Sequence, residues 1–136
     1  MKAIEFKKQN VVFAKDQKEY QPLPAYSQPN GLVTFCMQLD PHELEKVLQS
    51  GKLRLTVLTF GRPAQPIRVA TKEPAFPVTQ RGQFHCNPIS WGAEPGYPAT
   101  FEIDLFPINL QALKKTRIFW VTTATFGTPL QPVKLG

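Results

Sequence analysis

Side chains that could do chemistry are few in this chain, and they form no catalytic pattern. Its two histidines, His42 and His85, lie far apart, and Cys86 follows His85 directly. Adjacent side chains in a strand point to opposite faces, so this pair supplies neither a metal site nor a nucleophile with its base. The acidic residues show no repeated pairing, and no phosphate loop, GxSxG, HExxH or CxxC motif occurs. We therefore expect a protein that is not an enzyme and that uses no cofactor or metal.

The chain carries an excess of positive charge. Its 136 residues include 16 lysines and arginines against 10 acidic residues, which gives a net charge of +6. Such an excess raises the local concentration of anions, among them nucleotides, nucleic acid and acidic protein surfaces. The alternative is that the charge serves solubility alone.

Cysteine content and hydropathy indicate the compartment. Cys36 and Cys86 are too few for the disulfide framework of a small secreted protein, so both are predicted to be free thiols. No segment has the apolar run of a secretion signal or of a membrane span. We expect a soluble cytoplasmic protein that does not contact membranes.

An internal duplication is the strongest pattern in the sequence. Residues 33–69 and 99–135 align without a gap at an offset of 66, and 12 of 37 positions are identical. Both stretches end in a shared TFGxPxQP motif. A constant offset of this kind is typical of repeated structural units. We therefore predict two module copies, residues 1–69 and 70–136, packed as one compact domain.

Each copy is predicted to form a strand, a short helix and a second strand. Val33, Phe35 and Met37 alternate with polar residues, which indicates a half-buried strand, and residues 101–105 repeat this alternation. The first helix is predicted to have Asp40 as N-cap, with Pro41 and Glu43 in its first turn and a stop at residue 51.

The second helix is predicted to be the weaker one, because Phe106 replaces the capping aspartate and Arg117 replaces the terminal glycine. The second strands are predicted at residues 53–60 and 119–126. Further strands are predicted at residues 3–6 and 11–14, and loops at residues 20–31 and 73–98, which are rich in Pro, Gly and Asn.

These elements predict an α+β fold with antiparallel sheet, one helix per copy and a pseudo-two-fold axis. A unit of about 66 residues buries only a marginal core, whereas two fused copies can bury their apolar faces against each other. The TFGxPxQP segments are expected to leave as extended arms that cap a sheet edge or reach a neighbouring subunit.

One face of the duplicated second strand holds the candidate binding residues. That face keeps a threonine and a phenylalanine at the same positions in both copies. It is either a second packing layer or oligomer contact, or a surface where aromatics stack on a flat ligand, arginines pair with its charge and threonine hydroxyls orient it. With nearby arginines, the candidate ligand-binding residues are Arg54, Thr56, Phe60, Arg62, Arg68, Trp120, Thr122 and Phe126.

Three stretches in the first half carry a family resemblance: MKAIEFKKQNVVFAKDQKEYQPLPAY, VTFCMQLDPHELEKVL and SGKLRLTVLTFGRPAQP. They resemble a group of short, single-copy proteins of unknown function that are common in bacteriophages and bacterial mobile elements. Members of that group tend to have a tryptophan where Met37 stands and a more basic helix start near His42. The resemblance implies a phage accessory protein in the host cytoplasm and supplies no site residues.

Together these observations favour a non-catalytic phage protein that sequesters a small anionic, nucleotide-type ligand or a host defence factor, with homo-oligomerisation as a further expectation. The alternative is a structural or virion-associated protein whose proline-rich arms mediate assembly. Nucleic-acid binding is less favoured, because no long basic run or recognisable nucleic-acid motif is present.

Overall fold

The computed structural model describes residues 1–16, 18, 21–58, 66–79, 84–85, 88–91 and 98–124. Within these ranges the chain forms two helices, α1 (Pro41–Ser50) and α2 (Pro107–Thr116). The strands are β1 (Lys2–Ile4), β2 (Val11–Phe13), β3 (Leu23–Ser27), β4 (Leu32–Gln38), β5 (Lys52–Leu58), β6 (Ile67–Ala70), β7 (Ser90–Trp91), β8 (Pro98–Asp104) and β9 (Ile118–Ala124). The fold is α+β, and every strand pairing in it is antiparallel, as the sequence predicts.

The strands form two sheets. The larger has the order β2-β3-β4-β9-β6, with β1 also paired to β4, and the smaller has the order β5-β8-β7. The long central pairs join distant parts of the chain: β4 pairs with β9 from Leu32↔Ala124 to Gln38↔Ile118, and β5 pairs with β8 from Lys52↔Asp104 to Leu58↔Pro98. The two strands that flank each helix therefore lie in different sheets.

One apolar core joins the sheets. Leu53, Leu55 and Val57 of β5 and Phe119 and Val121 of β9 all pack in or against this core, and Leu53, Phe119 and Val121 are almost fully buried. Phe101 and Ile103 of β8 pack in the same cluster. Burial on this scale is the main source of stability in a domain of this size.

The two helices end alike and begin differently. Asp40 accepts a hydrogen bond from the Glu43 backbone N–H at 2.7 Å, and the Glu43 side chain accepts one from the Asp40 N–H at 3.0 Å, which completes the predicted capping box. At the N-cap of α2, Phe106 makes no side-chain cap bond and is 72% exposed. Both helices close on a left-handed residue, Gly51 at φ 70° and Arg117 at φ 58°.

The predicted loop at residues 20–31 is wrong in part, because β3 lies inside it. Pro24 occupies the part of β3 that pairs with β2, and only Tyr26 and Ser27 pair with β4. The proline therefore removes no hydrogen bond from the β4 side, and a strand is tolerated in a stretch whose composition indicates a loop. The short strand β7 likewise lies within the predicted loop at residues 73–98.

Within the described residues, neither helix has the length and apolar composition that crossing a membrane requires.

Candidate functional site

The structure distributes the candidate binding residues over two surfaces. Arg54 and Thr56 lie on the outer face of the smaller sheet, whereas Arg68, Trp120 and Thr122 lie on the outer face of the larger sheet. The remaining three candidates and the second cysteine lie outside the described residues: Phe60, Arg62, Phe126 and Cys86. The five candidates that the structure describes therefore do not form one continuous face.

On the larger sheet, the face with Trp120 is a packing layer. Phe6 meets the Trp120 ring edge-on at 5.1 Å between centroids, and Phe76 lies 6.3 Å from it. Tyr26 completes this aromatic layer by an edge contact with Phe76 at 4.8 Å. Trp120 is 8% exposed as a result. This agrees with the packing interpretation of the repeated face, and a ligand would reach the indole only by displacing the layer.

The segment 71–79, which carries Phe76, is fastened across this face by Gln28. The Gln28 amide donates to the Val78 carbonyl at 2.9 Å and accepts from the Val78 N–H at 2.8 Å. Beneath the layer, the hydroxyls of Thr34 and Thr122 are 2.9 Å apart and both residues are buried. A buried hydroxyl needs such a partner, so this hydrogen bond explains a threonine at position 122 without any ligand.

Arg68 lies at the margin of the same face, opposite Thr122 in the β6–β9 register. Its guanidinium stacks over the Phe84 ring at 4.7 Å and donates to the Thr79 carbonyl at 3.1 Å. These contacts hold Arg68 in place as part of the packing around segment 71–79.

On the smaller sheet, the equivalent face is open and charged. Arg54 is 69% exposed and donates to the Glu102 carboxylate at 3.0 Å, while Lys52 binds the other oxygen of Glu102 at 3.0 Å. The Thr56 hydroxyl is 3.1 Å from that of Thr100. One carboxylate therefore orients two cations, and Asp104, 3.9 Å from Lys52, is a second acid beside the pair.

Both partners titrate as expected for an ion pair. The hydrogen bond from Lys52 is the main cause that lowers the pKa of Glu102, and the same bond raises the pKa of Lys52. Both groups are therefore charged at neutral pH. The cations are held in position before any ligand arrives.

Lys52 and Arg54 also line a cleft between α1 and β5. Its volume is about 530 Å³, and Lys46 of α1 joins Lys52 and Arg54 in its lining. Glu43, the acid in that lining, forms an ion pair with the Met1 amine. A cleft of this volume can take a small organic anion. Neither lysine is among the residues predicted from the sequence: the alternation of Lys52 with Arg54 is a usable signal, whereas nothing in the sequence places the helix residue Lys46 beside them.

A second cavity opens along the same edge of β5. It measures about 340 Å³, and Arg54 and Thr56 line it together with core side chains. Its apolar lining comes from both sheets, including Phe35, Leu55 and Val121. We call the first space the α1–β5 cleft and the second the edge cavity.

No family model, curated protein or solved structure matches the chain.

Proposed function

We propose that this protein is a non-catalytic accessory protein, of the kind phages encode, that sequesters a small nucleotide-type anion in the α1–β5 cleft. The observation that carries the proposal is that Lys46, Lys52 and Arg54 all line one cleft of about 530 Å³. A guanidinium and two ammonium groups suit phosphate oxygens, the guanidinium by paired hydrogen bonds and the ammonium groups as point charges. The phage-like stretches of the first half support an action in the host cytoplasm, where the partner is either this ligand or a host defence factor that presents the same chemistry.

Glu102 supports the proposal by fixing the geometry of the site. Held from behind by this carboxylate, Lys52 and Arg54 lose less side-chain freedom when a ligand arrives than free surface cations do. Arg54 carries several N–H donors, so its 69% exposed guanidinium can bind a phosphate while it keeps Glu102 as a partner.

The finer architecture is part of the proposal: the chain is a tandem duplication, residues 1–69 and 70–136, arranged about a pseudo-two-fold axis. Adding 66 to the number of a first-half residue, and subtracting 66 from that of a second-half residue, gives its counterpart in the other copy. This turns the pair Leu32↔Ala124 into the pair Pro98↔Leu58, and both pairs occur in the sheets. The same operation relates the Thr34–Thr122 hydroxyl contact to the Thr56–Thr100 contact. Two equal registers and two equal hydroxyl pairs support the duplication.

The backbone around the helix ends supports it as well. Leu39 N–H donates to the Arg117 carbonyl at 2.8 Å, and Leu105 N–H donates to the Gly51 carbonyl at 2.9 Å. Replacing each residue by its counterpart at the offset of 66 turns one of these hydrogen bonds into the other. Each joins the start of one helix to the end of the other, so the two halves hold each other's helices in place.

Isothermal titration calorimetry against cyclic and adenosine-derived nucleotides tests the binding proposal. We expect one of them to bind with an affinity that falls as salt rises. Arg54→Gln and Lys46→Gln should each weaken binding by about 10- to 100-fold, because a hydrogen bond to a charged group is lost. Lys8→Gln removes the same charge at an exposed residue that does not line the cleft, and it should leave binding unchanged. Silent titrations across the whole panel would overturn the proposal.

An assembly role is the second candidate, and the exposed side chains of Phe106 and Ile108 at the start of α2 favour it, at 72% and 78% exposure. Apolar side chains so open to water are typical of contact surfaces. Light scattering after size-exclusion chromatography, with mass spectrometry of purified virions, distinguishes this role. An oligomer that is found in virions and does not bind nucleotides would replace the binding proposal.

A further inference from the structure

Strand β5 lines both the α1–β5 cleft and the edge cavity. Its residues from Lys52 to Arg54 line the cleft, and those from Arg54 to Val57 line the cavity. Arg54 is therefore the residue of β5 at which the two spaces meet. A strand rises about 3.3 Å per residue, so the stretch from Lys52 to Val57 extends over about 17 Å. A single elongated ligand can follow this strand from one space into the other.

The two spaces differ in their chemistry. Of the described residues that line the cleft, Glu43 is the one acid, against three cations: Lys46, Lys52 and Arg54. In the lining of the edge cavity, Arg54 is the one charged side chain that the structure describes, and most of the others are apolar. Both volumes, about 530 Å³ and 340 Å³, are typical of small-molecule sites. A ligand that suits both spaces is an anion at one end and an apolar ring at the other.

We propose that the edge cavity is the base site of the sequestered nucleotide, and that an adenine nucleotide lies along β5 with its base in this cavity and its phosphates in the α1–β5 cleft. The inference rests on the proposed function and deepens it, because it names the base and the direction of the ligand. In this arrangement Arg54, at the meeting point, binds the phosphate nearest the ribose. The ammonium groups of Lys52 and Lys46 bind the phosphates further along the chain.

The lining of the edge cavity favours adenine among the bases. Its apolar walls come from both sheets and include Phe35 and Met37 of β4 and Leu55 of β5. Two threonines, Thr56 and Thr123, add hydroxyls, and Thr123 is only 9% exposed. A hydroxyl both donates and accepts, so it can pair with a ring nitrogen or with the exocyclic amine. Adenine has two fused rings and no carbonyl oxygen, whereas each other common base would bury at least one carbonyl that needs a partner.

Titration calorimetry with matched pairs of compounds tests the arrangement. Adenosine mono-, di- and triphosphate are each compared with the inorganic anion of the same phosphate number: phosphate, pyrophosphate and triphosphate. We expect each nucleotide to bind at least tenfold more tightly than its base-free counterpart, because the base adds buried apolar surface. Affinity should also rise from the mono- to the triphosphate, because the added phosphates reach Lys52 and Lys46.

A substitution that fills the edge cavity separates the base from the phosphates. Val57→Phe adds a ring at the cavity lining, so it should reduce the affinity for adenosine triphosphate to that of inorganic triphosphate. Val69→Phe makes the same change at a position that packs against the core without lining the cavity, and it should alter neither affinity. Lys46→Gln, which changes the cleft alone, should weaken both compounds by the same factor. Circular dichroism checks that each variant folds.

Three results would overturn the inference. Equal affinities for adenosine triphosphate and inorganic triphosphate would show that the base makes no contact, while anion binding in the cleft would stand. No binding of any of the six compounds, together with binding of a cyclic nucleotide, would reject the arrangement and keep the proposed function. Binding of no nucleotide at all would remove both. The wild-type comparison needs no variant, so it decides the question even if Val57→Phe fails to fold.

Discussion

The buried thiol of Cys36 shows how placement decides reactivity. The residue is 1% exposed, and burial, with a smaller effect of the Glu73 carboxylate, raises the pKa of its thiol to about 12. Only the thiolate is a nucleophile, so this cysteine is unreactive at neutral pH. It is a core residue, in agreement with its prediction as a free thiol.

Alkaline unfolding tests the position of Cys36. Because its pKa is raised on folding, the neutral thiol favours the native state below the ordinary value of 9.0, and this contribution disappears as pH rises toward about 12. Wild-type protein should lose stability over that range, and Cys36→Ala should lose less. Chemical denaturation at stepped pH measures the difference; parallel curves for the two proteins would contradict it.

The pH dependence of stability that Glu102 causes has the opposite sign. Its pKa is lowered from 4.5 by Lys52 and Arg54, so its contribution to stability is present above pH 4.5 and is lost as pH falls further and the carboxyl becomes protonated. We expect Glu102→Gln to be less stable than wild type at pH 7 and equal to it in acid. Thermal unfolding at both pH values measures this, with Asp104→Gln as control, since Asp104 is 84% exposed and 3.9 Å from Lys52. A gap that persists unchanged in acid would count against the ion pair.

Helices and strands show what local sequence can predict. Helix α1 begins at its capping box as the sequence predicts, because caps depend on residues within one turn. The inward residues of β5 and β9 follow from the period of two. Burial of Trp120 does not follow from local sequence, since Phe6 and Phe76 cover it from two separate parts of the chain. The α1–β5 cleft could not be predicted for the same reason, because only the folded chain brings Lys46 of α1 and Arg54 of β5 to the lining of one cleft.

The two helix ends make a reciprocal prediction. Gly51 and Arg117 both have positive φ, which a residue with a Cβ adopts at a cost of about 1–2 kcal/mol. Gly51→Ala should destabilise the protein by about that amount through the backbone alone, as nothing lies within 4 Å of the added Cβ. Arg117→Gly should stabilise it by up to about 1 kcal/mol. Urea denaturation measures both, and the same sign for the two changes would contradict the assignment.

For the whole molecule, the core predicts a single cooperative unit. Phe101, 1% exposed, packs in one cluster with side chains from both halves. Phe101→Ala should lower the free energy of unfolding by about 3–5 kcal/mol. Circular dichroism and tryptophan fluorescence should both report a single unfolding transition, shifted to the same extent. Fragments 1–69 and 70–136 should each lack stable structure alone, because each would lose the partners of its long strands. Two separate transitions, or a folded fragment, would contradict this.

The pairing of β4 with β9 also governs when the protein can fold. Its partners lie between 80 and 92 residues apart along the chain. Contacts so remote in sequence make folding slow, and on the ribosome β4 is synthesised long before β9 exists. The nascent first half can pair β4 with β1 and β3, but the other edge of β4 must wait for β9, and the central sheet can close only after translation has passed residue 124.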